Sequence, residues 1–385
     1  MNILHLASTA RWTGVADPVV SLAAEQSRRG HRVWVGCTPG RSFEKAIRRN
    51  GVAFCEGMRL NVRLNPFDVI SDYRLLQRFC RANQVDVVHC HLDNDHWLAM
   101  MALQSLRRRN AGRPFLVRTV HGKKGPRVDI VHRWLFAQRT DGLICLSQKL
   151  ARSAEKKLHL ASGRVAAALG AVNLEAFYPQ GGTEIRNHLH IPLDAPVIGV
   201  VSRVRQDRGL DWLLQAFPLV LEKVPNARLL IVGRGEQLKE IQAEIQRPQY
   251  RNQVLSPGYF QVYREGVPKM QCLQSAYAAM DATLFVALGS EGTCRAILEA
   301  MACGKPTVGA DIGAVSEIIA DGETGFVVPE RSVNLLADKM ISLLSDRAHC
   351  AKMGAAARRR AEACFTQAAR ADAVEKVYAA CCGIP

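Results

Sequence analysis

The sequence lacks several things, and each absence removes a class of protein. No Cys-x-x-Cys pair occurs among the twelve cysteines, which are scattered from Cys37 to Cys382. Several, such as Cys37, Cys90 and Cys145, lie within or beside apolar strand-like runs. That usage excludes a disulfide framework or a zinc ribbon and reads as small buried hydrophobes in a reducing compartment. No stretch of about 18 apolar residues occurs, so no spanning helix is expected. The opening Met1–Ala7 is too short for a secretory apolar core and runs into Arg11. Aromatics are only 6%, too few for a base-stacking platform, and no DNA- or RNA-binding module is recognisable, so nucleic acid is not an expected partner. A full dinucleotide fingerprint is missing too: Gly233-Arg234-Gly235 is followed by Glu236, Gln237 and Leu238. Nor does any spacing suggest a Ser-His-Asp or Cys-His nucleophile.

What is present is a chain of 385 residues, 48% of them hydrophobic, enough for two cores, since single cores stop growing near ~250 residues. Charge is uneven. Residues 1–180 hold 28 Lys+Arg against 13 Asp+Glu, whereas the remainder holds 23 against 22. A basic first half beside a neutral second half predicts an anionic partner that meets the first half alone: nucleic acid, an anionic membrane or a phosphorylated substrate.

Apolar strand-like runs alternate with helical patterns. NILHLAS leads through a polar loop to Asp17-Pro18, which reads as helix cap and first helical residue, and that helix ends at Arg28-Arg29-Gly30 before HRVWVGC. VDVVHCH (85–91), FLVRTVHG (115–122) and DGLICLS (141–147) are further short buried strands. The pattern pauses in a Gly/Pro-rich polar stretch and resumes with PVIGVVSRV, a helix LDWLLQAFPLVLEKV, ARLLIVGRG, ATLFVAL, a helix over 291–303 and PTVGADIG. The expected fold class is α/β, with two facing Rossmann-like doubly wound domains and a ligand cleft between them. Residues 1–175 form the first domain, 176–195 a linker, 196–360 the second domain, and 361–385 a C-terminal helix packing back on the first domain.

Ligands of such sheets bind beyond the carboxyl ends of the strands. There, PVIGVVSRVRQDRG sets Arg203 and Arg208 in a loop with Gly209 opening the next helix, and two guanidiniums suit a diphosphate. After ATLFVALGS come Glu291-Gly292-Thr293 at a helix start, where free N–H groups favour a phosphate, and Glu299 follows two turns on. Two carboxylates able to grip hydroxyls, with arginines between, describe a nucleotide-sugar site. Taken singly, these residues also fit a helix-end charge, a solvent-facing helix acid and solvated loop arginines.

The segment EGTCRAILEAMACGKPTVGADIGAVSEIIADGETGFVVP resembles the E-x7-E signature of retaining glycosyltransferases of the GT-B fold, family 4. SLAAEQSRRGHRV, VDVVHCH, RTVHG, ICLS, GAVNLEAFYP, SRVRQDRG and ARLLIVGRGE follow the family in order over almost the whole chain. The resemblance implies donor-binding roles for Gly14, Arg203, Arg208, Glu291, Gly292, Thr293 and Glu299. Arg203 and Arg208 hold the diphosphate, Glu299 the ribose, and Glu291 the transferred sugar. His121 lies near the reacting carbon, so His121 and Glu291 are the catalytic pair. By the same resemblance a nucleoside-diphosphate sugar, a UDP-sugar foremost, is the donor, the transfer is of hexosyltransferase type, and no metal or other cofactor is needed. Asp93-Asn94-Asp95 forms the Asp-x-Asp of a different, metal-dependent glycosyltransferase fold, but it follows a strand of the first domain. Asp93, Asn94, Lys123 and Lys124 are acceptor-side candidates.

The chain departs from the family at three points. Paired glycines of the first loop are reduced to Thr13-Gly14, Arg208 replaces a lysine, and Gly292-Thr293-Cys294-Arg295 replaces an aromatic, glycine-rich run. Arg295 faces either a phosphorylated group or a local acid. The basic first half suits an anionic membrane and a glycan or glycolipid acceptor, with bacterial lipopolysaccharide core or another envelope polysaccharide as the product, and a cytoplasmic protein peripheral on the inner face of the membrane. A GT-B-like sugar-nucleotide epimerase and a nucleic-acid-binding protein remain the alternatives.

Overall fold

The computed structural model describes residues 1–11, 14–60, 65–107, 114–122, 125–161, 163–250, 252–262, 268–286 and 294–382. The chain divides into two compact units. The first comprises Met1–Ala171 and the closing helix Gln367–Cys382, and the second is built from the described residues between Val172 and Thr366.

The first unit holds seven parallel strands: β1 (Asn2–Ala7), β2 (Arg32–Cys37), β3 (Ala53–Phe54), β4 (Val87–Cys90), β5 (Phe115–Val120), β6 (Gly142–Cys145) and β7 (Val165–Ala167). Their order is β3-β2-β1-β4-β5-β6-β7, a doubly wound arrangement whose strand order reverses between β1 and β4. Register follows from alternation: Ile3 pairs with Val87 and His5 with His89, and Val87 with Phe115. One face of β1 and β4 (Leu4, Leu6, Val88, Cys90) joins the core beneath the helices Pro66–Ala82 and Asp93–Arg107. The other face (Ile3, Ala7, Val87, Val117) is covered by the Ala16–Arg28 helix and by Ala371, Val374, Val377 and Tyr378 of the closing helix. Arg29 ties those two helices, donating to Asp372 (2.7 Å), Glu375 (3.0 Å) and the Ala368 carbonyl (2.8 Å).

The second unit holds six parallel strands: β8 (Val197–Val201), β9 (Arg228–Val232), β10 (Val254–Gly258), β11 (Ala282–Phe285), β12 (Thr307–Ala310) and β13 (Gly325–Val328). Their order is β10-β9-β8-β11-β12-β13, with its reversal between β8 and β11. Both units are therefore Rossmann-like.

Several boundaries differ from the sequence expectation. The first helix starts at Ala16, so Asp17 lies inside its first turn and is not its cap, and the capping position falls to Val15, whose side chain caps nothing. The helix expected over 291–303 spans Arg295–Ala302, capped by Cys294 in the left-handed region at φ 46°. Residues 176–195, expected as a linker, lie in the second unit and carry the helix Thr183–His188. Buried Ile185, Ile191 and Ala195 anchor that stretch. All twelve cysteines are free and nine are buried.

Arg186 of that short helix is the tie. Its guanidinium donates to the carbonyls of Ala279 (2.9 Å), Leu193 (3.1 Å) and Ala195 (3.2 Å) and to Asp281 Oδ1 (2.9 Å), while Asp281 Oδ2 accepts the β8 amide of Val197 (2.8 Å). Removing one partner of so enclosed a pair leaves the other groups unanswered, so Arg186→Ala should cost about 3 kcal/mol. Urea unfolding of the variant tests this, and an unchanged midpoint would show the tie to be dispensable.

Candidate functional site

In the second unit the candidate residues gather at the carboxyl ends of β8 and β11, the strands that flank the switch point. Arg203 follows β8 and is exposed, with no partner among the described residues. Arg208 ends the short turn Gln206–Arg208 and sits 3.5 Å from Asp207, which Arg205 also grips at 2.8 and 3.1 Å. Hydrogen bonding from Arg205 holds the Asp207 carboxyl below its ordinary value. Gly209 then caps the Leu210–Lys223 helix at φ 69°, and a Cβ there would lie 2.3 Å from the Val286 carbonyl. Only glycine fits, and the fit draws the arginine loop against the end of β11. Gly233 and Gly235 act likewise, since a Cβ would meet the Ser202 carbonyl at 1.8 Å and the Val204 carbonyl at 2.0 Å. The Gly-Arg-Gly run thus serves close backbone packing.

Glu299 lies on the Arg295–Ala302 helix and is 3% exposed. Arg295 Nε donates to its Oε1 (2.6 Å), and the Tyr277 hydroxyl, also buried, lies 2.9 Å from its Oε2 and donates to it. Burial, with Glu299 adding to it, pushes the Tyr277 phenol well above its ordinary value, so it stays a donor. Each carboxylate oxygen keeps a second lone pair, which leaves room for a diol. Arg295 therefore pairs with a local acid, the second of the two partners expected for it. Glu291, Gly292 and Thr293 lie outside the described residues.

In the first unit, β1, β4 and β5 are neighbours, and their carboxyl ends carry the remaining candidates. Gly14 is half-buried in the turn before the Ala16–Arg28 helix. Asp93 is exposed at the start of the Asp93–Arg107 helix and pairs with buried Arg118 at 3.0 Å. Asn94 is half-buried beside it, and Lys123 and Lys124 lie outside the described residues. Asp95 accepts from Ser8 N (3.2 Å), Ser8 Oγ (2.8 Å), His91 N (2.8 Å) and Leu92 N (3.0 Å). Burial raises its carboxyl, opposed by the Arg118 charge and by those donors. With Asp93 on Arg118 and Asp95 fully subscribed, this Asp-x-Asp clamps β1 to β4 and has no pair of free carboxylates for an ion.

His121, half-buried directly after β5, ends a line of otherwise buried rings that the sequence analysis missed. His121 Nε2 meets His91 Nδ1 at 3.1 Å, His91 Nε2 meets His5 Nδ1 at 3.0 Å, and His5 Nε2 meets Gln26 Oε1 at 2.8 Å. His89 stands beside them between Tyr378 (2.6 Å) and Thr119 (2.7 Å). Alternation puts them on one face: Ile3-His5-Ala7, Val87-His89-His91 and Val117-Thr119-His121. The signal in the sequence is the period-two His-Cys-His at the end of an apolar strand, with His5 at the matching place in the first strand. Nitrogens of His5, His89 and His91 lie within 4.8 Å of one another, close enough to hold a metal ion. Their rings are stacked, however, with His89 and His91 4.3 Å apart at 28° and His5 and His91 5.3 Å apart at 25°. Every nitrogen already has another partner, and near-parallel rings do not aim lone pairs at one point.

Both units carry doubly wound parallel sheets, and the likeness to known proteins identifies the class. Residues 182–360 match the family model Glycosyl transferases group 1, and residues 12–176 match Glycosyltransferase Family 4. The chain belongs to the family-4 glycosyltransferases of the GT-B fold. It is similar to a D-inositol 3-phosphate glycosyltransferase of Corynebacterium diphtheriae, at 27% identity over 94% of this chain and 88% of that one. Some other curated relatives are matched over about half their own length, such as 49% for one. Among solved structures it resembles Anabaena Alr3699/HepE in complex with UDP (TM-score 0.78, 18% identity, covering 97% of this chain and 98% of that one). It also resembles WaaG, a glycosyltransferase involved in lipopolysaccharide biosynthesis (TM-score 0.65, 16% identity, 97% and 98%).

Burial holds His5 down at about 4 and His121 at about 3, and keeps His89 and His91 well below their ordinary 6.5. The unfolded chain protonates these rings near 6.5, whereas the folded protein does so only far lower. Stability is therefore full above pH 6.5 and falls as the pH drops toward about 4, at about 1.4 kcal/mol per pH unit for each ring. Buried His96 adds to the loss, whereas Asp95 and Asp72, raised by burial, act in the opposite sense. Urea midpoints at pH 7.5 and pH 5 should differ widely, and equal midpoints would contradict the neutral, buried line.

Proposed function

We propose that this glycosyltransferase is a retaining enzyme that moves a sugar from a nucleoside-diphosphate sugar, with a UDP-sugar foremost, to a hydroxyl of a glycan or glycolipid of the bacterial envelope. The observation that carries the reading is the meeting of the Arg203–Arg208 loop with the end of β11 through Gly209, on the same unit as buried, hydrogen-bonded Glu299. UDP in the Anabaena neighbour and lipopolysaccharide synthesis for WaaG support donor and product class by likeness.

No nucleophile is required. Departure of a nucleoside diphosphate is limited by negative charge growing on its phosphate, and two guanidiniums fixed in a loop stabilise that charge without reorganising. Glu299 grips the ribose diol. The acceptor hydroxyl attacks from the leaving-group side and gives its proton to the departing phosphate, so the anomeric configuration is kept. His121 and Glu291 act at the transferred sugar, Gly14 approaches the phosphates, and no metal takes part.

An exposed apolar stretch of the first unit supports a membrane-borne acceptor. Ile130 is 86% exposed, Val131 and Trp134 are exposed on the same helix, Ile130–Trp134, and Phe67 is 82% exposed on Pro66–Ala82. Arg127 and Arg133 are exposed among them. Apolar anchors interleaved with arginines suit an anionic bilayer, where each near-surface charge contributes about 1 kcal/mol. Asp93, Asn94, Lys123 and Lys124 are the acceptor-side residues of this reading.

Two experiments test it. Nucleoside diphosphate release should occur from one member of a panel of uridine, guanosine and adenosine diphosphate sugars, with or without chelator, and fall at least about 100-fold in Arg208→Ala and Glu299→Ala. Absence of release or binding with every donor would overturn the donor site. On vesicles containing anionic phospholipid the protein should co-sediment at low salt, and Ile130→Asp with Trp134→Ser should shift it to the supernatant. Equal sedimentation with zwitterionic vesicles would remove the electrostatic part.

A further inference from the structure

The line Gln26–His5–His91–His121 has a direction. A neutral imidazole carries one donor and one acceptor nitrogen, so a chain of neutral rings joined nitrogen to nitrogen is fixed throughout once one end is fixed. Gln26 fixes it. Its amide sets the oxygen 2.8 Å from His5 Nε2, while its nitrogen makes no hydrogen bond among the described residues, and an amide oxygen only accepts. His5 therefore donates from Nε2 and accepts at Nδ1, His91 donates from Nε2 and accepts at Nδ1, and His121 donates from Nε2. His121 Nδ1 is left as a buried lone pair without a hydrogen-bond partner among the described residues.

We propose that Gln26, His5 and His91 are positioning residues that lock His121 in the single neutral tautomer with its proton on Nε2, so that Nδ1 accepts a hydrogen bond from a hydroxyl of the transferred sugar. The identity of that hydroxyl's owner rests on the transferase reading above; the locking does not. The helix Ala16–Arg28 supplies Gln26, β1 His5 and the end of β4 His91, so three elements set the proton on a residue after a fourth.

The test uses the full chain labelled with ¹⁵N at histidine. Long-range ¹⁵N–¹H correlation at pH 7.5 should show His5, His91 and His121 each neutral with the proton on Nε2. In Gln26→Leu the His121 signals should spread over both tautomers, and nucleoside diphosphate release should fall roughly tenfold, the scale of one hydrogen bond. Gln26→Glu should rescue both, because its carboxylate still accepts from His5. A His121 proton on Nδ1 in the unmodified protein, or a folded Gln26→Leu with unaltered tautomer and full turnover, would overturn the proposal. Nε2-protonated rings in a protein that releases no diphosphate from any donor would overturn the sugar assignment and leave the locking standing.

Discussion

Four imidazoles inside a hydrocarbon face can persist there only if they stay uncharged and hydrogen-bonded. That constraint organises the first unit. His5, His89 and His91, buried, and His121, half-buried, project from adjacent strand ends beside Ile3, Val87 and Val117, where an ordinary sheet would present aliphatic side chains. Charging any of them would strand a cation in low dielectric. Their partners come from the two covering helices, Gln26 from Ala16–Arg28 and Tyr378 from Gln367–Cys382. The closing helix, last in the chain, is therefore part of the floor beneath the first-unit residues, and the Arg29 clamp to Asp372 and Glu375 secures it.

The second unit solves a related problem differently. Its switch point is shaped by backbone close enough to exclude any Cβ: Gly209 against Val286, Gly233 against Ser202, Gly235 against Val204. Close approach costs no buried polar group, and it leaves Arg203 in solvent. The arginine loop is thus left open, whereas the first unit's histidine side chains are held by a hydrogen-bond network.

Legibility in the sequence follows the range of the interactions. Strands β1, β2, β4, β5, β6, β8, β9, β11 and β12 announce themselves through apolar runs and their punctuation. β3 has two residues and β7 three, too short for any period, and both depend on a neighbour already in place. Arg203, Arg208 and Glu299 were readable because a loop and a helix carry them at fixed local spacing. Arg295 could be read only as facing a phosphorylated group or a local acid, since its i,i+4 neighbour Glu299 fitted solvent or ligand equally. Gln26, His5 and His91 were not readable. Their contacts join residues 21 and 86 apart, and nothing local in Gln26 distinguishes it from any other helical glutamine. The Thr183–His188 helix was hidden in the same way, because Arg186 is held mainly by carbonyls about 10 and 90 residues away, which no composition reveals.

Glu299 shows how one site reconciles opposite charges. A buried carboxylate beside a diphosphate would repel it, and a buried carboxylate alone would be driven to take a proton. Arg295 donates to one oxygen and the Tyr277 hydroxyl to the other, and the ion pair with Arg295 is neutral overall. On the proposed reading, the remaining acceptor lone pairs meet hydroxyl groups and tolerate phosphate nearby. Arg203 and Arg208, on a separate loop, are left to meet the phosphate charge. On the proposed reading, recognition of hydroxyls and of charge is divided between the segments that follow the two strands flanking the switch point, and for that reason this sheet, more than its partner, carries the donor side.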